Sequence, residues 1–183
     1  MKECYLSVQG VAEKTIVIER SKFICTLREV ADEEAAKQFI AGMRKTHSLA
    51  THNCYAYIAD EIGNVMKYSD DGEPQGTAGM PMLEVLKNRK IMKTAAVVTR
   101  YFGGIKLGAG GLVRAYAESV SKALDGARIV ENRLVKTGLL KLTYDQYPKM
   151  LQFLEREQAV VERTDFTDEV SLALSVPCGE YGA

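Results

Sequence analysis

Residues 97–116 read VVTRYFGGIKLGAGGLVRAY, an apolar run that leads directly into a glycine-rich turn. The short continuous apolar run Ala95–Val98 predicts a strand that is buried on both faces of a sheet. Five glycines then follow between Gly103 and Gly111. The next apolar positions recur at helical spacing and predict one buried helix face: Val113, Tyr116, Val120 and Leu124. This glycine-rich segment (residues 97–116) therefore predicts a strand, a tight connection and a helix.

Two interpretations of the glycine-rich segment are open from the sequence. Glycine lets the backbone approach a ligand closely, and a helix start offers free amides to a phosphate or carboxylate. Arg100, Lys106 and Arg114 would add charge-assisted contacts. The spacing matches neither a Walker A loop nor a dinucleotide-binding fingerprint. The alternative is a connection whose glycines serve only close packing.

A polar turn, residues 69–76, gathers three carboxylates at Asp70, Asp71 and Glu73. We call it the acidic turn. Three neighbouring carboxylates can bind a divalent ion through oxygen, but their spacing differs from that of a calcium loop. The favoured interpretation is a solvated turn, or one that pairs with nearby basic side chains.

Both histidines, His47 and His52, lie in one short segment. A spacing of five residues suits neither a helical metal pair nor a zinc finger, so no metal site is predicted. His52 shares one face of the predicted strand Thr51–Ala59 with Cys54. A structural or hydrogen-bonded His52 is favoured over a catalytic one because no orienting acid is evident in the sequence.

The pattern of strands and helices restarts after Asn132. Leu134–Tyr144 predicts a strand, Tyr147–Glu157 a helix, and Val160–Arg163 a second strand. A final strand alternates apolar and small residues up to Val176. The order βαββ is the front of a ferredoxin-like unit, which needs a further helix and strand to close. We therefore expect domains at 1–132 and 133–183, the second truncated or covered by a partner.

The composition of the chain is that of a globular protein. The chain has 183 residues, is 46% hydrophobic and carries a formal net charge of zero, which is typical of a globular protein. No apolar run is long enough for a membrane span, and the first residues lack the layout of a signal peptide. The four cysteines contain no CxxC pair and are expected to be reduced, so we expect a cytoplasmic protein.

Several segments together resemble one known family. The segments are Ser21–Phe23, His52–Ala56, Asp70–Pro74 with Gly76, and Val97–Gly108. With these residues the sequence resembles the YigZ/Impact family over nearly its whole length. The longest match is a hydrophobic strand followed by Arg, two aromatic residues and paired glycines.

The resemblance implies an α+β fold. Its first domain would be similar to domain two of ribosomal protein S five, and its second to a ferredoxin-like domain of elongation factor G. In eukaryotes, members of the family bind the activator of an initiation-factor kinase and restrain that kinase. For this chain the resemblance implies a translation-linked role with RNA or a ribosome-associated protein as partner, and no membrane.

Two functional hypotheses follow. The first is a binding protein without catalysis or cofactor, in which Lys87, Arg89, Lys90 and Lys93 add positive charge and two aromatic residues stack on bases. The second is a small enzyme acting on a phosphorylated metabolite with Mg²⁺ held by the acidic turn. Both use one cleft, where the expected ligand-contacting residues are His52, Asp70, Asp71, Glu73, Arg100, Tyr101, Phe102, Gly103, Gly104, Lys106, Gly108, Gly110, Gly111 and Arg114.

Overall fold

The computed structural model describes residues 4–177. The chain forms two compact units, residues 1–132 and residues 133–183, and both mix helices with strands. The α+β class predicted from the sequence is confirmed.

The first unit contains seven strands and three helices within the described residues. The strands are β1 (Cys4–Val8), β2 (Val11–Ile18), β3 (Ser21–Glu29), β4 (His52–Ile58), β5 (Met66–Ser69), β6 (Thr94–Tyr101) and β7 (Ile129–Arg133). The helices are α1 (Glu33–Thr46), α2 (Gly79–Asn88) and α3 (Gly108–Gly126). Five strands form an antiparallel sheet in the order β2-β3-β6-β4-β5, and β1 pairs with β7.

Strand β6 lies at the centre of this sheet. All its residues are buried except Tyr101, as expected for the apolar run that begins at Ala95. Alternate side chains enter two separate cores: Ala96 and Val98 pack in the core that includes α2 and α3, whereas Ala95 and Val97 pack with α1. Helices on both faces explain why the run Ala95–Val98 within this strand is continuously apolar.

Helix α1 begins directly after Asp32, which is its N-cap residue. The side chain of Asp32 accepts a hydrogen bond from the amide of Ala35 at 2.8 Å, and Glu33 and Glu34 occupy the first turn. A carboxylate there satisfies free amides and complements the helix dipole.

Helix α3 corrects one detail of the predicted burial. Val113 was expected in the buried face, but its side chain is 37% exposed and Leu112 is buried instead. The buried positions recur three and four residues apart through Leu112, Ala115, Tyr116, Ser119, Val120, Ala123 and Leu124. Val113 is one residue out of this phase, which turns it roughly 100° away from Leu112.

The second unit contains β8 (Val135–Leu142), α4 (Tyr147–Arg156), β9 (Val160–Phe166) and β10 (Val170–Pro177). Strand β10 lies between β8 and β9 and is antiparallel to both. Leu142, Leu154, Val170 and Leu172 form its small buried core. The further helix and strand that would complete a ferredoxin-like unit do not occur between residues 133 and 177.

None of the four helices between residues 4 and 177 has both the length and the apolar character that a membrane span requires.

Candidate functional site

Asp70 organises the acidic turn from within. Its Oδ1 accepts hydrogen bonds from the amides of Ala78 at 3.1 Å and Gly79 at 2.8 Å, and its Oδ2 accepts from the amide of Gly76 at 2.8 Å. Two of these amides lie at the start of α2. The carboxylate thus caps that helix, where a negative charge is favoured.

Asp71 ties the acidic turn to its neighbours. Its Oδ2 accepts a hydrogen bond from the amide of Asn53 on β4 at 2.7 Å, and its Oδ1 pairs with Arg44 of α1 at 2.7 Å. The backbone carbonyl of Asp71 lies 2.8 Å from Nδ1 of His52. Because a carbonyl oxygen only accepts, Nδ1 of His52 carries a proton and donates this hydrogen bond.

Glu73 is the acid of this turn that forms a buried ion pair. Its Oε1 lies 2.6 Å from Nη1 of Arg100, and both side chains are almost fully buried. The hydroxyl of Tyr116 on α3 donates to the same oxygen at 2.8 Å. Burial raises the pKa of Tyr116, so the phenol keeps its proton and acts as a donor.

Arg100 is held on several sides at the end of β6. Its Nη2 approaches Oγ of Ser21 at 3.4 Å, and Ser21 also accepts from the amide of Gly103 at 3.1 Å. The guanidinium lies over the rings of Phe23 and Phe102, with centroid distances of 5.3 and 5.5 Å. Such stacking suits a planar cation. Arg100 therefore supports the wall of the site, and its charge is offset by Glu73.

The glycines of the glycine-rich segment have different functions. A Cβ on Gly103 would collide with the backbone of Arg20, so this position requires close packing. Gly108 has φ +68°, a conformation that favours glycine, and it begins α3. The N-cap residue of that helix is Leu107, and its side chain forms no hydrogen bond with the first amides. Gly103 is thus needed for close packing, and Gly108, five residues later, begins a helix whose first amides are not capped by the N-cap side chain.

A cleft of about 380 Å³ lies beside this helix start. Its lining residues come from three segments of the first unit: Thr51 and His52; Glu73 and Pro74; and Arg100, Phe102, Lys106, Leu107, Gly108, Ala109 and Leu112. Of the residues predicted from the sequence, the cleft brings together His52, Glu73, Arg100, Phe102, Lys106 and Gly108. The remaining predicted residues do not line it.

Several predicted residues lie elsewhere or support the cleft indirectly. The hydroxyl of Tyr101 lies 2.9 Å from Nδ1 of His47, and the side chain of Arg114 is exposed on α3. The basic group before the glycine-rich segment is mostly paired with acids: Lys87 with Glu84, Arg89 with Asp125, and Lys93 with Glu61. Those charges are therefore largely compensated.

Two polar groups beside the cleft, Ser21 and the hydroxyl of Tyr116, were not predicted as site residues from the sequence. Tyr116 was assigned only to the buried helix face, which it does occupy. A tyrosine rather than a phenylalanine on an apolar face was the available signal, because a buried hydroxyl needs a partner. Ser21 lies in a segment that carries the family resemblance, but no local pattern could indicate its contact with Arg100, 79 residues away along the chain.

Cys54 is buried beneath the cleft. Its Sγ lies 2.9 Å from the carbonyl oxygen of Asp70 and 3.4 Å from the hydroxyl of Tyr116. Burial raises the pKa of the Cys54 thiol to about 12, so it does not act as a thiolate near neutral pH. Between residues 4 and 177, no three His, Cys, Asp or Glu side chains are placed to hold a metal ion.

Comparison with known proteins shows which family the chain belongs to. The Impact N-terminal domain model matches residues 19–124, which include every residue that lines the cleft. This chain belongs to the IMPACT family. A second model, a domain of unknown function (DUF1949), matches residues 140–183. The family resemblance predicted from the sequence is thereby confirmed.

Relatives of the family cover most of this chain. The IMPACT family member YvyE of Bacillus subtilis is 46% identical over the whole chain and 84% of its own length. The member YigZ of Escherichia coli is 35% identical over 89% of this chain and 81% of its own length. A crystal structure described as that of a hypothetical protein has a TM-score of 0.69 at 33% identity, covering 97% of this chain and 87% of that one.

Proposed function

We propose that this IMPACT family protein is a translation-linked regulator that binds single-stranded RNA in the cleft at the start of α3. The link to translation comes from the family resemblance. The observation that carries RNA binding is the open amino terminus of α3, which lies beside Lys106 and Phe102 in one cleft.

The helix start supplies the contact with a phosphate. Carboxylates of Asp32 and Asp70 accept hydrogen bonds at the starts of α1 and α2, whereas the N-cap residue of α3 is Leu107, whose apolar side chain accepts none. Free amides and the positive end of a 19-residue helix favour an anion. Lys106 lines the same cleft and is exposed.

Phe102 supplies a surface for a base. Its ring is 47% exposed, and Arg100 lies on it. An exposed aromatic ring near a positive side chain such as Lys106 suits single strands, because every base can stack on it. The zero net charge of the chain implies that binding depends on this local site rather than on a general positive field.

The test is titration of a labelled 15-nucleotide single-stranded RNA at 50 and 200 mM salt. We expect affinity to fall with salt, because each phosphate contact releases counterions, with a log–log slope of about −0.7 per contact. Phe102→Ala should weaken binding by about 1–3 kcal/mol, and Lys106→Gln should reduce the slope by about 0.7.

Lys14→Gln is the matched control, since Lys14 is exposed on β2 and does not line the cleft. Its affinity and slope should equal those of the unchanged protein. Absent binding, or binding insensitive to salt and to Phe102→Ala, contradicts the proposal. Thermal stabilisation by a magnesium nucleotide without RNA binding would instead favour the enzyme hypothesis.

A further inference from the structure

We infer that a second groove, between α1 and the edge strand β5, binds an extended acidic peptide segment of a partner protein, which pairs with β5 as a further strand of the sheet. The groove has a volume of about 340 Å³. We call it the basic groove, and its lining residues are Lys37, Ile40, Ala41, Arg44, Tyr55, Tyr57 and Lys67. No residue lines both the basic groove and the cleft, so this inference does not rest on RNA binding.

The basic groove is lined by three cations and by no acid. Lys37 pairs with Glu33 at 3.1 Å and Arg44 with Asp71 at 2.7 Å, and both basic side chains are about half exposed. Exposed ion pairs contribute little to stability, so these cations can exchange their partners for a carboxylate of a ligand. Lys67 is exposed and belongs to no ion pair among the described residues. The charge of the groove therefore complements an acidic ligand.

Strand β5 supplies backbone groups for a further strand, because it is the last strand in the order β2-β3-β6-β4-β5. The amide of Ala59 donates to the carbonyl of Val65 at 2.8 Å, and the antiparallel register continues through β5 without a shift. Bonded and non-bonded residue pairs alternate in such a ladder, so Lys67 bonds to β4, whereas the backbone N–H and C=O groups of Met66 and Tyr68 point away from it. Outward-pointing groups of this kind bind an added strand.

The register places acidic side chains of such a peptide on the side of the cations. Lys67 lies directly opposite Tyr57, so its side chain is on the face of the sheet that α1 covers. A peptide residue opposite Lys67 would lie on that same face, with the two Cβ atoms about 4.5–5.5 Å apart. Opposite charges at that distance stabilise a strand pair. Because strand side chains alternate between faces, the best peptide carries an acid at every second position.

The aromatic residues of the basic groove favour a peptide over RNA. The guanidinium of Arg44 lies over the ring of Tyr55, 5.7 Å from its centroid. Tyr57 is only 1% exposed, and its hydroxyl donates to Glu33 at 2.8 Å. Neither ring thus offers the open face on which a base stacks. Ile40 and Ala41 instead provide an apolar surface for the methylene groups of an acidic side chain.

The experiment measures binding of a fluorescein-labelled heptapeptide, in which glutamate and valine alternate, to the full chain by fluorescence anisotropy. We expect it to bind about tenfold more tightly than a peptide in which lysine replaces glutamate, and less tightly as salt rises. Two further peptides carry N-methyl groups on alternate residues, one on the odd positions and one on the even. Only one of the two should lose binding, because a strand bonds to one neighbour through every second residue.

Variants of the protein and hydrogen exchange locate the site. Lys67→Glu should weaken binding of the acidic peptide by about fivefold or more. Lys14→Glu is the matched control, since it makes the same change of charge on β2, at the other edge of the sheet, and should leave the affinity unchanged. Bound peptide should also slow hydrogen exchange of the amides of Met66 and Tyr68, because they become bonded to it.

Three results would overturn the inference. The first is absent binding, or equal affinity for the acidic and the basic peptide. The second is binding without protection of Met66 and Tyr68, or with equal tolerance of both N-methylated peptides, which would indicate attraction of charge without strand addition. The third is a 15-nucleotide RNA whose binding is weakened by Lys67→Glu, which would assign the basic groove to RNA. Loss of RNA binding in Phe102→Ala alone bears only on the proposed function, since Phe102 does not line this groove.

Discussion

Three carboxylates close together in the sequence carry out three different tasks. Asp70 caps α2, Asp71 holds β4 and α1, and Glu73 points into a buried pair with Arg100. The difference is one of direction and not of chemistry, since all three are ordinary acids. Asp71 has φ +45°, an uncommon conformation, so the chain direction changes between Asp70 and Glu73.

The buried thiol of Cys54 predicts a dependence of stability on pH. Its pKa is raised by burial to about 12 from an ordinary 9.0. The neutral thiol therefore stabilises the fold fully below pH 9, and this contribution is lost as pH rises toward 12 because the unfolded chain ionises first. The loss amounts to about 1.4 kcal/mol per pH unit.

Urea unfolding at pH 8, 9 and 10 measures this effect. The free energy of unfolding should decline more steeply above pH 9 for the unchanged protein than for Cys54→Ala, which lacks the thiol. Alkylation by iodoacetamide at pH 8 provides a direct check, with modification of exposed Cys4 but not of buried Cys54 in the folded protein. Equal slopes, together with rapid alkylation of Cys54, would show that this thiol is accessible.

At the level of the elements, the glycine-rich segment joins β6 to α3 with little freedom. Gly103 approaches the backbone of Arg20 next to β3, and its amide donates to Ser21. This contact fixes where the chain leaves the sheet and hence where α3 begins. Gly110 lies in the first turn of α3 with open space where a Cβ would be.

Two glycine-to-alanine substitutions distinguish the glycine that is needed for close packing, Gly103, from one that has free space beside it, Gly110. Gly103→Ala should lower the free energy of unfolding by more than about 3 kcal/mol, because the added methyl meets backbone that cannot move aside. Gly110→Ala should be neutral or raise it by up to about 1 kcal/mol, since alanine favours a helix. Chemical denaturation of both variants gives the comparison. Similar effects at the two positions would contradict a special packing role for Gly103.

For the whole molecule, the cleft belongs to one unit. All residues that line it lie between Thr51 and Leu112, and the two cores around the five-stranded sheet extend from Val8 to Leu124. The second unit has its own small core within β8, α4 and β10. Each unit thus has a hydrophobic core of its own, which is the usual mark of a domain.

A chain ending after residue 134 should therefore fold and keep the site. It retains β7 (Ile129–Arg133), which pairs with β1. We expect cooperative thermal unfolding by circular dichroism, and RNA affinity within about twofold of the full chain, provided that the second unit makes no contact with RNA. An unfolded fragment would contradict independent folding of the first unit. A folded fragment that no longer binds RNA would assign RNA contacts to the second unit.

The sequence by itself determined the elements and the family. Local patterns were sufficient for the buried strand at Ala95–Val98 and for the helix after the glycine-rich segment, because burial leaves a periodic signal. The α+β class followed from the family resemblance. The phase of α3 was predicted less well, since Val113 and Leu112 are equally apolar and only packing against the sheet selects one of them.

Only the tertiary structure decided which polar groups meet. The Glu73–Arg100 pair joins residues 27 positions apart, Tyr116 reaches Glu73 across 43, and Ser21 meets Arg100 across 79. Contacts at such separations depend on strand order, because the pairing of β6 with both β3 and β4 brings these segments together. The sequence named three acids and three basic residues, Arg100, Lys106 and Arg114, and only the fold paired Glu73 with Arg100 in the cleft.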